Sequence, residues 1–293
     1  MPYPARRGSS RRGADERFRE RFRLATVRAG MTRPGATIVG FGAVLLWSVL
    51  AVLTVSVGPM PPFQLTAVCF AIAAALGFAW MAASGQGVAV LRGLPPALWL
   101  IGIGGLFGYH FFYFSALRLA PPAQASLIAY LWPLLIVLLS GLLPGERLRA
   151  GHMIGALLAF SGAALVILGP GAGFSTAYLP GYGAALVCAF AWAAYSVLSR
   201  RMGAAPTESV AVFCLATAIL ATLAHLGLET TVWPAGAGAW AAMLALGAGP
   251  VGLAFYLWDV GMKRGDIQLL GILSYAAPLI STFVLIAAGL AEP

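Results

Sequence analysis

The sequence predicts an all-α membrane protein built from two inverted five-helix repeats, a ten-helix plan of which nine helices fall within these 293 residues. Three observations carry that prediction. The chain is 60% hydrophobic and only 9% charged, against roughly 25% charged residues in an ordinary soluble domain. Its apolar residues fall into nine stretches, each close to the ~20 residues that a bilayer-crossing helix needs. Finally, a constant offset of 145 residues carries Trp47 onto Trp192, Arg118 onto Lys263, Tyr130 onto Tyr275 and Pro133 onto Pro278. An offset that contains an odd number of spans sets the two copies upside down relative to each other, the arrangement of alternating-access transporters.

Taken in order, residues 1–35 read as a basic cytoplasmic tail in which Asp15, Glu16 and Glu20 are scattered among arginines. The pairs Arg6-Arg7 and Arg11-Arg12 suggest an export signal, but the first apolar run is long and leads directly into further spans, so no cleaved leader is expected. Met31 is a second candidate start. The first repeat, residues 36–169, holds spans near 36–57, 61–82, 96–117, 121–143 and 150–169; the second, residues 181–293, holds spans near 181–202, 207–227, 239–262 and 266–290. The bilayer interior offers no water to unpaired backbone groups, so segments this long without alternation are helices rather than barrel strands. Gly104 and Gly108 form a GxxxG pair, with Gly249 and Gly252 at the matching place, and both are expected to let helix backbones approach. The fifth helix of the first repeat would map beyond Pro293, and a natural product that continues into a tenth helix is expected.

The formal charge of +9 raises nucleic acid as a partner, but the basic residues are distributed by side. Arg92, Arg147, Arg149, Arg200, Arg201, Lys263 and Arg264 share the tail's side and only Arg118 lies opposite. The positive-inside rule therefore places the N-terminus in the cytoplasm and turns the basic excess into a topology signal. Cys69, Cys188 and Cys214 lie within spans without CxxC spacing, which suggests neither a disulfide framework nor a metal site. No cofactor is expected.

Candidate functional residues follow from the cost of polar groups at membrane depth. Tyr109, His110 and Tyr113 share a helix face at i, i+1 and i+4 spacing, and a hydroxyl or imidazole turned toward lipid would lack partners. An aromatic belt at the outer interface is the plainer alternative. Tyr130 and Trp132 precede Pro133, and Ser274 and Tyr275 precede Pro278. Each proline removes a backbone donor and kinks its helix, freeing carbonyls near the midplane. Such carbonyls suit a substrate ammonium, and adjacent rings add cation–π attraction of ~0.5–2 kcal/mol; prolines that only shape packing are the alternative. Trp192 and Tyr195 lie on one face of the sixth span with Ser196, opposite Trp47 and Ser48 by repeat symmetry. Asp259, an acid inside a span, is a candidate for proton coupling, or simply the i, i+4 partner of Lys263. A strongly charged substrate would find nothing to pair with in this set, so a neutral zwitterion is expected.

The motifs Trp47-Ser48, Phe190-Ala191-Trp192-Ala193-Ala194-Tyr195, Ala129-Tyr130-Leu131-Trp132-Pro133, Trp258-Asp259-Val260-Gly261 and Ser274-Tyr275 with Pro278 resemble the EamA repeats of the drug/metabolite transporter superfamily, and within it the aromatic amino-acid exporter (YddG-type) branch. The resemblance covers residues 31–293. It implies two inverted five-helix repeats with both termini cytoplasmic and a central cavity between helices 1, 3, 4, 6, 8 and 9. It implies a monomer in a bacterial inner membrane that exports aromatic and other neutral amino acids or related metabolites. Another small metabolite or drug on the same fold is the nearest alternative, since fold does not fix substrate. An intramembrane enzyme is a distant one, because His110, His152 and His225 are far apart in sequence and no acidic pair accompanies them.

Overall fold

The computed structural model describes residues 31–85, 87–168 and 173–291. The arginine pairs of the basic tail lie outside these residues. Among the described residues, nine helices are long and apolar enough to cross a membrane: α1 (Arg33–Val57), α2 (Pro62–Ala83), α3 (Pro96–Leu119), α4 (Pro122–Ser140), α5 (Ala150–Ile167), α6 (Thr176–Arg201), α7 (Ser209–Leu228), α8 (Gly236–Arg264) and α9 (Ile267–Ala287). Their ends lie within five residues of those read from the sequence. Prolines set several starts: Pro34, Pro62, Pro96, Pro122 and Pro180 occupy first turns, where a fixed φ is useful and a missing N–H costs nothing. The Thr32 hydroxyl accepts the Gly35 N–H and starts α1 earlier than its apolar pattern suggests.

The packing obeys the repeat. Exchanging α1 with α6, α2 with α7, α3 with α8 and α4 with α9 turns the α3–α6 contact into α8–α1 and leaves the α2–α7 and α4–α9 contacts in place, and all of these pairs are packed together. The copies are inverted, as hydrogen bonds at the helix ends show. Arg33 at the start of α1 and Arg200 at the end of α6 both reach Glu146, in the α4–α5 turn. The start of one copy's first helix therefore lies beside the end of the other's.

Small residues let these helices cross closely, though not at the Gly104 and Gly108 pair. A Cβ added to Gly104 or Gly108 would meet open space, whereas one on Gly105 would sit 2.4 Å from the Tyr195 Cβ and one on Gly102 2.4 Å from the Phe213 ring. A span that is apolar on every side hides its rotation, so spacing alone did not tell which glycines face a neighbour. In the α1–α8 crossing Gly40 meets Gly261, and a Cβ on Gly40 would lie 2.8 Å from the Gly261 Cα. The equivalent α6–α3 crossing uses the repeat-related Ala185 and Ala116, both fully buried in one cluster.

Four spans are irregular at depth. Helix geometry lapses in α1 at Val49, in α4 at Tyr130 and Leu131, and in α9 at Ser274 and Tyr275, while α8 carries a π turn over Gly249–Leu253. The α4 and α9 breaks lie two to four residues before Pro133 and Pro278, where the missing N–H and the ring clash act. At the end of the bundle opposite Arg33 the Glu229 carboxylate, just past α7, accepts the Phe63 and Gln64 N–H groups at 3.1 Å and so caps α2, which has no side-chain cap of its own. Arg118 donates to the same carboxylate at 2.9 Å, and the His225 ring lies 3.0 Å from it.

Candidate functional site

Four tryptophans meet at the centre of the bundle. Trp47 and Trp132 come from the first half, Trp192 and Trp258 from the second, and their ring centroids lie between 5.1 and 6.3 Å apart in every pairing. Most pairs are edge-on or tilted, the geometry that the ring quadrupoles favour. Two indoles are anchored: Trp47 donates to the Pro250 carbonyl at 3.0 Å, inside the α8 π turn, and Trp258 donates to the Ser196 hydroxyl at 3.0 Å. The tetrad depends on local structure at both ends, since the break in α1 begins two residues beyond Trp47 and the π turn re-aims the Pro250 carbonyl.

Residues of α3 and α4 line one side of this floor. Tyr109 lies 5.4 Å from Trp192 and stacks on Tyr113 at 5.9 Å with an interplanar angle of 7°. The Tyr113 phenol shares a 3.2 Å hydrogen bond with the Ser126 hydroxyl of α4. His110 gives its Nδ1–H to the Leu106 carbonyl at 2.7 Å and presents its ring edge-on to Phe70 at 4.9 Å. Tyr195 packs 5.2 Å from Trp192, and its buried hydroxyl has no partner among the described residues. Tyr130 lies 6.4 Å from Trp132. Trp132, Trp192 and Trp258 are buried, whereas Tyr109, His110, Tyr113 and Tyr130 are only half-buried.

The structure does not bring Ser274 and Tyr275 into this cluster. Ser274 returns its hydroxyl to the Leu270 carbonyl of its own helix. Tyr275 packs on Phe160 at 6.0 Å, and its phenol oxygen accepts the Leu134 N–H at 3.1 Å. In a regular helix that N–H would go to Tyr130, and Pro133 has none to give to Ala129, so both carbonyls lack their helical donor. Asp259 is also occupied: its carboxylate takes Lys263 at 2.8 Å and the Thr207 hydroxyl at 2.7 Å, and Lys263 reaches on to the Ala205 carbonyl at 3.0 Å. The pair is buried among the helices, in the last two turns of α8.

Trp258, Phe255 and Phe70 belong to the cluster, although in the sequence Trp258 stands out only as part of a family motif and the two phenylalanines not at all. The repeat held the missing signal for two of them, because the offset of 145 residues carries Tyr113 onto Trp258 and His110 onto Phe255.

A family model described as the EamA-like transporter family matches residues 35–168 and again residues 179–288. The chain belongs to the EamA-like transporter family. It is 59% identical over 266 residues to a protein of Ancylobacter novellus named aromatic amino acid exporter YddG, covering 90% of this chain and 92% of that protein. It is 28% identical over 278 residues to the Salmonella typhimurium protein of the same name, covering 86% and 88%. A crystal structure at 58% identity superposes with a TM-score of 0.85 over 89% of this chain and 91% of that one. These matches and the nine apolar helices make it a multi-pass membrane protein of a transporter family.

Proposed function

We propose that this protein exports aromatic and other neutral amino acids across a bacterial inner membrane, with its N-terminus in the cytoplasm, by alternating access around the tryptophan tetrad. The observation that carries the reading is that tetrad: two rings from each inverted half converge on one place, so movement of the halves against each other remakes the site. The half-buried Tyr109, His110, Tyr113 and Tyr130 face the same interior and form walls that solvent partly reaches. An aromatic side chain stacks on such a floor, and the carbonyls freed before Pro133 receive an ammonium group. No charged side chain belongs to the cluster, which favours a zwitterion over an ion. The naming of the Ancylobacter novellus and Salmonella typhimurium relatives supports the same substrate class.

Transport is proposed to run without obligatory proton coupling, because the buried carboxylates of Asp259 and Glu229 are already held by basic partners. Efflux from proteoliposomes loaded with tryptophan, phenylalanine or alanine tests both parts. Wild-type protein is expected to release aromatic amino acids at equal rates with and without a pH gradient. Trp132→Ala and Tyr130→Ala are each expected to slow aromatic efflux about tenfold, the loss of one ring contact of about 1.4 kcal/mol, at unchanged membrane expression. Wild-type flux in both variants would remove the site.

A further inference from the structure

The inner end of the bundle is tied by a chain of charges that crosses from one half to the other. Glu146 is nearly buried and accepts two arginines, Arg200 at the end of α6 on one carboxylate oxygen and Arg33 at the start of α1 on the other at 3.2 Å. Arg33 continues at 3.2 Å to Asp266, at the start of α9. Arg200 also donates to the Met262 and Gly265 carbonyls at 3.0 and 2.7 Å, closing the end of α8, and the Asp266 N–H returns to the Thr37 hydroxyl of α1 at 2.8 Å. Five elements from both halves are thus joined through one carboxylate. Among the described residues the repeat gives the outer end no equivalent: Tyr178, Ala291, Val55 and Pro121 stand where the symmetry would need Arg33, Glu146, Arg200 and Asp266. None of these four carries a charge.

We propose that Glu146, with Arg33, Arg200 and Asp266, is an ionic latch that holds the cytoplasmic mouth shut, and that loading of substrate from that side requires Glu146 to part from its arginines. The latch rests on the alternating-access reading above. It acts on the balance between states rather than on the substrate, since none of its members touches the tetrad. Glu146 is its keystone, because it alone contacts both arginines, and a ligand or a substitution shifts the two states only through contacts that differ between them.

A cysteine at Ser140 reports on the seam that the latch would close. Ser140 is fully buried near the inner end of α4, on the face where Ile136 and Val137 pack against Gly271 of α9. With the buried Cys69, Cys188 and Cys214 replaced by alanine, Ser140→Cys is reacted with a membrane-impermeant maleimide applied from either side of oriented vesicles. Adding Glu146→Gln is expected to raise the rate from the cytoplasmic side about tenfold, equivalent to about 1.4 kcal/mol, with the rate from the outer side unchanged. Arg33→Gln, at a half-exposed position, is expected to give a smaller rise of the same kind and decides the matter if Glu146→Gln fails to fold. Unchanged rates in the folded variants, or an equal rise from both sides, would overturn the latch and leave the transport reading standing. If no background labels from the cytoplasmic side although denatured protein labels fully, alternating access itself fails and the latch with it.

Discussion

The two halves of this protein share a plan but not its chemistry, and Tyr130 and Tyr275 show the difference in small compass. They are repeat-related residues at equivalent breaks, yet the Tyr275 phenol accepts a backbone N–H from the opposite half while the Tyr130 phenol has no hydrogen-bond partner among the described residues. The same divergence recurs elsewhere. Gly40 and Gly261 make one helix crossing where Ala185 and Ala116 make its mate; α8 carries a π turn with Pro250 where α3 has Gly105 in an unbroken helix. Lys263 satisfies an acid of its own helix, whereas its counterpart Arg118 reaches across to α7. An inverted repeat with identical halves would have the same energy facing either way. On the alternating-access reading, divergence at these positions removes that equality.

Substitutions can sharpen or break this comparison. The largest effect is expected at the tighter crossing: Gly261→Val would drive a side chain into the Gly40 backbone and should abolish monodisperse protein in size-exclusion chromatography, while Ala116→Val, at its mate, should leave a reduced but folded fraction. Next comes the buried pair. Asp259→Asn leaves Lys263 buried without its counter-charge, and should lower stability by about 3–5 kcal/mol, read as a fall in the thermal midpoint in detergent; Lys263→Met in the same chain should recover part of the loss. Tyr275→Phe should cost about 1 kcal/mol for its single hydrogen bond, whereas Tyr130→Phe should fall within about 0.5 kcal/mol of wild type. Equal losses in these two would erase the asymmetry. The smallest effect belongs to Gly104→Ala, which meets open space and should change stability by less than about 0.5 kcal/mol.

Much of the fold was legible because its causes are local or periodic. Span length follows from the bilayer, and the break in α4 from the missing N–H of Pro133, whereas the prolines that open α1 to α4 carry a start signal that the apolar runs alone do not use. The site was legible in part. Tyr109, Tyr113, Trp132 and Trp192 were named from spacing and depth, and they converge. Trp258 carries no spacing signal of its own as a site residue, and only its repeat relation to Tyr113 points to it. Ser274 and Tyr275 were named by transferring the logic of one kink to the other, and symmetry of sequence does not guarantee symmetry of hydrogen bonding. The inner charge chain was invisible for a different reason. Arg33, Glu146, Arg200 and Asp266 are scattered along the chain, the two arginines read singly as topology markers and the two acids carry no signal of their own, and only the packing of α1, α6 and α9 brings them within reach of one another.

The cap on α2 bears on how the protein is made. The first N–H groups of that helix find their acceptor in Glu229, a residue synthesised more than one hundred and sixty positions later. Until the ribosome has delivered α7 and the residue after it, the start of α2 must borrow water or lipid headgroups in its place. The first half is therefore born unfinished at one corner, and expression of residues 31–168 alone should yield a frayed α2 that becomes ordered only when the second half is supplied, even as a separate polypeptide.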